Sequence, residues 1–226
     1  MVLISLLGAL TLHAGAGLDP ASADCARPAN AFDASICSEP TLAALEQRMA
    51  ERYVAALAAL PLAARPYLEA DQRLFLEGRK GWREASHPLR DQPLGPGYWT
   101  GRRIAFLEGV EPGRAGSFSG FWRNASGFVV ITDEGNGVVL VEIEASQPVG
   151  GHWKCYLDLT ARPEGGALSV VLDEEETGGG RWRLRAEVTE GVLTLTERPV
   201  ASRGEERPPY CGVGGYTAGT YFRTGD

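Results

Sequence analysis

The sequence predicts an α+β protein: a disulfide-stapled hairpin of two or three helices, followed by an antiparallel β-barrel or sandwich of about eight strands. Three observations predict it. From Leu42 to Trp82 apolar residues recur at three- and four-residue steps, which is one face of a helix. Beyond Glu111-Pro112-Gly113 short alternating runs between glycine-containing turns replace that period. The four cysteines divide evenly, two in each half.

The chain opens with an almost unbroken apolar run, Val2 to Leu12, which leads into small residues ending Ala21-Ser22-Ala23. The run is too short to span a bilayer and the ending matches an Ala-x-Ala cleavage site, so 1–23 is expected to be a signal peptide. No Lys or Arg precedes the run. Cleavage near Ala23 would deliver the chain to the periplasm or the exterior. No later segment is long and apolar enough for a membrane span, so the mature chain is expected to be soluble.

Residues 24–110 form the expected helical module. Ser38 is placed to cap a helix that enters through Glu39-Pro40 and carries Leu42, Leu45, Met49, Tyr53, Ala56, Leu57 and Leu60 on one face, stopping at Pro61. A second helix from Pro66 shows Leu68, Gln72, Phe75, Leu76, Arg79 and Trp82 on one side. The short link between them implies an antiparallel pair. After a stretch rich in Pro and Gly, from His87 to Gly97, Tyr98 to Leu107 fits a third, shorter helix.

Residues 114–226 form the expected β-domain. Clear strands are Phe128–Thr132, Val138–Ala145, Trp153–Leu159, Leu168–Leu172, Trp182–Val188 and Val192–Thr196, with further candidates at Ser117–Arg123 and Tyr216–Arg223. In the run from Arg181 to Val188, Trp182, Leu184, Ala186 and Val188 alternate with Arg181, Arg183, Arg185 and Glu187, so one face is buried and the other charged.

Four cysteines in an exported chain allow three pairings. Their positions favour Cys25–Cys37 and Cys155–Cys211, one bridge in each half. Cys155 shares a strand face with Trp153, Leu157 and Leu159, so its bridge is expected to lie inside, tying a central strand to the C-terminal segment. A metal site is disfavoured, because no Cys-x-x-Cys occurs and only His87 and His152 follow the leader.

The formal charge is −7, or −6 once Asp19 leaves with the leader. No basic stripe marks a nucleic-acid binder, whereas an acidic surface suits a cationic partner. The turn Asp133-Glu134 and the loop Asp173, Glu174, Glu175 and Glu176 are the candidate steering elements toward such a partner. Glu174 to Glu176 also raise the thought of paired glycosidase carboxylates, but adjacent acids before three glycines read as a solvated loop. No Gly-x-Ser-x-Gly elbow or phosphate-cradling glycine pattern is present. The expectation is a protein that is no enzyme and uses no cofactor. Asn124-Ala125-Ser126 marks an expected exposed turn.

Asp24-Cys25, Ile36-Cys37, Leu42, Leu45-Glu46, Tyr53, Gln72, Phe75-Leu76 and Arg79 together resemble the N-terminal domain of the lysozyme inhibitor LprI family. The resemblance runs over 24–107, under half of the chain, and its motif is dispersed. It implies a small exported bacterial protein that binds a lysozyme-type muramidase and blocks it sterically. Phe75 stands where the family usually has Trp, and Glu46 where Asp is common. Trp82 stands near an expected further Cys, and a later Cys is also missing; the joint loss implies that Cys25 and Cys37 pair together. The β-domain lies outside the resemblance. The alternative is a periplasmic ligand- or protein-binding module without lysozyme activity. Gln72 and Arg79 share a stripe with Leu68 and Phe75, so they are expected to bridge the hairpin rather than face a partner. Tyr53 is expected in the core with its hydroxyl at the edge.

Overall fold

The structure, a computed structural model, describes residues 22–84, 95–148, 151–173, 180–200 and 208–225, and the side chains of all of these but 81–84. The leader 1–21, His87, Glu174, Glu175 and Glu176, and the side chain of Trp82, fall outside the described residues.

Among the described residues four α-helices precede a largely closed antiparallel sheet. Helix α1, Ala31–Cys37, begins at Asn30, whose side-chain oxygen accepts from the Asp33 amide at 2.9 Å. Helix α2, Pro40–Ala59, has Pro in its first turn and ends where Leu60 leaves helical geometry before Pro61. Its N-cap is Glu39, with no side-chain bond; Ser38 instead closes α1. The expected cap at Ser38 is therefore displaced by a helix that the apolar period does not reveal. A single 3-10 turn, Leu62–Ala64, leads into α3, Arg65–Glu84. Helix α4, Pro96–Gly109, widens the expected third helix at both ends.

Helices α2 and α3 are antiparallel, as Glu46 near the start of one meets Arg79 near the end of the other. Helix α4 runs parallel to α2. Glu46 lies beside Thr100, and both Arg48 and Arg52 reach Glu108. Gly97 permits the close approach, since a Cβ there would stand 3.2 Å from Leu42 Cδ2.

The strands are β1 (Val110–Glu111), β2 (Gly120–Arg123), β3 (Gly127–Gly135), β4 (Val138–Ser146), β5 (Lys154–Ala161), β6 (Pro163–Glu164), β7 (Ala167–Leu172), β8 (Trp182–Thr189), β9 (Val192–Pro199) and β10 (Gly219–Thr224). All eight expected strands are present, and the two-residue β1 and β6 are additional. In space the order is β5-β4-β3-β2-β10-β9-β8-β7-β6, with β1 on β10. Two meanders, β2 to β5 and β6 to β9, are thus joined through β10. Contacts between β5 and β7 bring the far ends round into a barrel-like form. The hairpins turn at Asn136-Gly137 and Glu190-Gly191, all four residues with φ between 51° and 81°. Such paired positive dihedrals match the twist of the flanking strands.

Alternation along the strands builds two cores. Trp122, Ile131, Ile143, Leu184, Leu193 and Tyr221 point into the barrel. Val192 and Phe222 point outward and pack with Met49, Tyr53, Leu68, Phe75, Ile104 and Phe106. Phe106 and Phe222 meet edge-on at 6.1 Å. The helical module and the β-domain therefore share one core along the outer face of β9, β10 and β2.

Both expected disulfides are formed, Cys25–Cys37 and Cys155–Cys211. Cys155 is buried as expected, and its strand pairs with the segment at Cys211 through an isolated bridge. The strand is not central, however: β5 ends the hydrogen-bonded order, because the chain turns from it into the second meander. Among the described residues no helix is long and apolar enough to cross a membrane.

Candidate ligand cleft

Of the residues carrying the family resemblance, Asp24 and Cys25 are exposed and Cys37, Leu42 and Leu45 partly buried, while the rest form the interior of the helical module. Glu46, Tyr53, Gln72, Phe75, Leu76 and Arg79 are all buried. Arg79 donates to both Glu46 carboxylate oxygens, at 2.6 and 2.9 Å, while its guanidinium lies over the rings of Phe32 and Phe75. Such a bidentate, stacked arrangement suits arginine's planar fork. The Ala23 amide also donates to Glu46 at 3.0 Å, so the segment ahead of the stapled Cys25 reaches the ion pair, a contact that cleavage after Ala23 would remove. Burial and the Glu69 charge push the Tyr53 hydroxyl up to about 12.

A second buried pair ties the helices to the barrel. Asp71 on α3 accepts from Arg103 Nη1 on α4 at 2.7 Å and, through its other oxygen, from the Ala125 amide at 2.7 Å. Arg103 Nε donates to Gln72 Oε1 at 2.7 Å, and the guanidinium sits 4.5 Å from the centre of the Phe106 ring. Ala125 belongs to the β2–β3 turn. That turn is held by Asn124, whose Oδ1 accepts from the Ser126 and Gly127 amides at 2.8 and 2.9 Å. Ser126 is buried and Asn124 half-buried, so the expected exposed turn is instead packed against the helices. Gly127 is required there, because a Cβ would overlap the Glu144 carbonyl oxygen.

Beside this seam lies a cleft of about 690 Å³. Helix α3 contributes Phe75, and α4 contributes Trp99, Arg102, Arg103 and Phe106. The β2–β3 turn supplies Arg123 to Phe128, and the ends of β4 and β5 supply Glu144 to Pro148 and Gly151 to Lys154. The α3 wall approaches closely at Gly78, where a Cβ would stand 2.7 Å from the Pro148 carbonyl oxygen. Arg123 lies over the Phe106 and Phe121 rings. Burial, with Arg102 and Arg103 nearby, lowers its proton affinity. Among the described residues Arg102, Arg123 and Lys154 have no carboxylate within ion-pair distance. Two buried donors of residues on this wall, Arg103 Nη2 and Trp99 Nε1, have no hydrogen-bond partner among the described residues.

Of the acidic residues singled out from the sequence, the described ones, Asp133, Glu134 and Asp173, lie elsewhere. Asp133 and Glu134 sit at the β3–β4 hairpin, at the opposite end of β3 from Gly127, and Asp133 accepts from the Gly135 amide. Asp173 follows β7 and pairs with Arg181 at 2.9 Å. Strand direction places the two acidic segments at opposite ends of the sheet. The sequence reading passed over Trp99, Arg102, Arg103, Arg123 and Lys154. Its usable signal was Arg103 itself, a charge spaced four and three residues from Trp99 and Phe106 on an otherwise apolar helix stripe. Among the described residues no group of three or more His, Cys, Asp or Glu is placed to hold a metal ion. The exposed His152 lines the cleft rim. Compared with known proteins, the chain matches no family model, no curated protein and no solved structure.

Proposed function

We propose that this chain is an exported binding protein whose ligand seat is the cleft between the helical module and the barrel. The observation that carries the reading is the cleft itself, lined by aromatic rings and by Arg102, Arg123 and Lys154, with two covered donors beside it, Arg103 Nη2 and Trp99 Nε1, that have no hydrogen-bond partner among the described residues. Arg79 Nε, inside the helical module, also has no partner among the described residues, so the two donors support a ligand through the cleft that adjoins them. The cleft size and its mix of aromatic faces with a few polar groups are those of small-molecule sites. Two disulfides support an oxidising destination.

A ligand-observed NMR screen of small organic fragments tests this, with Gln147→Trp as the comparison because Gln147 lines the cleft. Binding to the native chain that is lost in Gln147→Trp is expected. Binding equally strong in both, or to neither, would refute the cleft as the seat.

The second reading is steric inhibition of a cationic lysozyme. It is favoured by the resemblance over 24–107 and by acids on the outer face of β4 and β5, where Glu144 and Asp158 are exposed and Glu142 half-exposed. An opposite charge would speed encounter at low salt. Here the mature protein is expected to slow lysis of cell-wall substrate by a lysozyme; unchanged lysis by several lysozyme types at low salt removes the reading.

A further inference from the structure

We infer that the cleft takes a small molecule with an anionic head, a phosphate or a carboxylate, carried on an apolar or aromatic body. The inference rests on the cleft being the ligand seat and adds the class of ligand. The chain as a whole is acidic, with a formal charge of −7. The cleft runs against that balance: among the described residues Arg102, Arg123 and Lys154 line it without an ion pair, Arg102 bonding only the Tyr98 hydroxyl, and Glu144 is a carboxylate in the same lining.

The most buried of the basic groups is also the most fixed. Arg103 is 3% exposed, and Asp71, Gln72 and the Phe106 ring hold three sides of its guanidinium. Its Nη2 is a covered donor with no hydrogen-bond partner among the described residues, so an acceptor that displaces its cover would gain a charge-assisted bond. Trp99 Nε1 adds a neutral donor on the same helix, one turn away. Arg123 is half-buried among aromatic rings and crowded by two arginines, so an anion between them would relieve repulsion. The remaining walls, Phe75, Phe106 and Phe128, offer rings to an apolar body and no further charge.

Isothermal titration of the full mature chain with phenyl phosphate, phenylacetate, benzyl alcohol and benzylamine tests the class. The two anions are expected to bind, with benzylamine silent, and their ranking distinguishes phosphate from carboxylate. Arg123→Gln is expected to weaken the anions by about tenfold, the loss of one charge-assisted contact. Lys154→Gln, at an exposed position that no fold contact needs, serves as a second variant and is expected to weaken them in the same direction. Added salt should weaken the anions and not the alcohol. Equal binding of benzyl alcohol or benzylamine, or anion affinities unmoved by both variants, would overturn the anionic class while leaving the cleft as a seat. No binding by any of the four would overturn both.

Discussion

Glu46 of α2 and Arg79 of α3 hold each other through two hydrogen bonds of 2.6 and 2.9 Å, with both side chains almost wholly withdrawn from water. A buried pair of this kind adds little net stability over a well-packed apolar pair, yet removing one member strands the other charge. Glu46→Gln is expected to cost about 3–5 kcal/mol of unfolding free energy. The double change Glu46→Leu with Arg79→Met is expected to cost less than that single change. Urea titration of the three proteins checks the order, and a single variant within about 1 kcal/mol of the native chain would show the pair to be weakly coupled.

The two bridges close loops of unequal length, with sequence separations of 12 and 56. In the chain-entropy view the shorter contributes about 3 kcal/mol and the longer about 4. Replacing each pair by alanines is expected to lower stability in that order. The loss at Cys25 and Cys37 should also loosen helix α1, whose last residue is Cys37. Hydrogen exchange at the Ser38 amide, which donates to the Ala34 carbonyl at 3.0 Å, faster in the first variant and unchanged in the second, reads that directly.

Alkaline pH is expected to unfold the chain through its buried tyrosines. Burial, with Glu69 for Tyr53 and Glu197 for Tyr210 and Tyr221, raises all three hydroxyls. Unfolded tyrosines ionise near pH 10, while folded Tyr53 keeps its proton to about 12. Between those values the unfolded state releases protons first, so stability falls as pH rises. Tyr53→Phe is expected to lose less between about pH 9 and about pH 11 than the native chain does, measured by the urea midpoint.

Two glycines separate backbone freedom from close packing. A side chain at Gly127 would overlap the Glu144 carbonyl and force β3 from β4 beside the cleft. Gly127→Ala is expected to cost about 1–3 kcal/mol and to weaken fragment binding as well. Gly165 has a φ of 58° and open space around it, in a turn remote from the cleft in sequence and lining. Gly165→Ala is expected to cost about 1–2 kcal/mol with binding unchanged. Thermal melts and the fragment screen on both variants check the distinction.

Local patterns carried most of the fold. The alternation of Trp182, Leu184, Ala186 and Val188 with arginines fixes which face of β8 is buried, because strand side chains point to opposite sides. Glu190-Gly191 announces a tight hairpin, since both residues accept positive φ there. Helix α1 is too short to show a period, and its signal is the pair Asn30 and Asp33 at its start. The cleft was illegible for another reason. Trp99, Arg123 and Lys154 come together only because Asp71 reaches both Arg103 and the Ala125 amide. No window of sequence contains that contact. Composition pointed the other way: net acidity drew attention to Asp133 and Asp173, and the cations gathered where the helices meet the barrel.

Strand β10 occupies the middle of the sheet although it follows every other described strand along the chain. A polypeptide emerging from its N-terminus can zip each meander as soon as that stretch is available. Neither meander acquires its inner neighbour until residues 219–224 arrive, and Val192 waits uncovered by Phe222 until then. Interrupted synthesis before Gly219 would release a chain with two raw sheet edges, at β2 and β9, and the attendant hazard of pairing with other copies. Docking of the two meanders thus waits on residues 219–224, which makes loss of that segment a more damaging lesion than loss of an equal stretch ahead of Asp24.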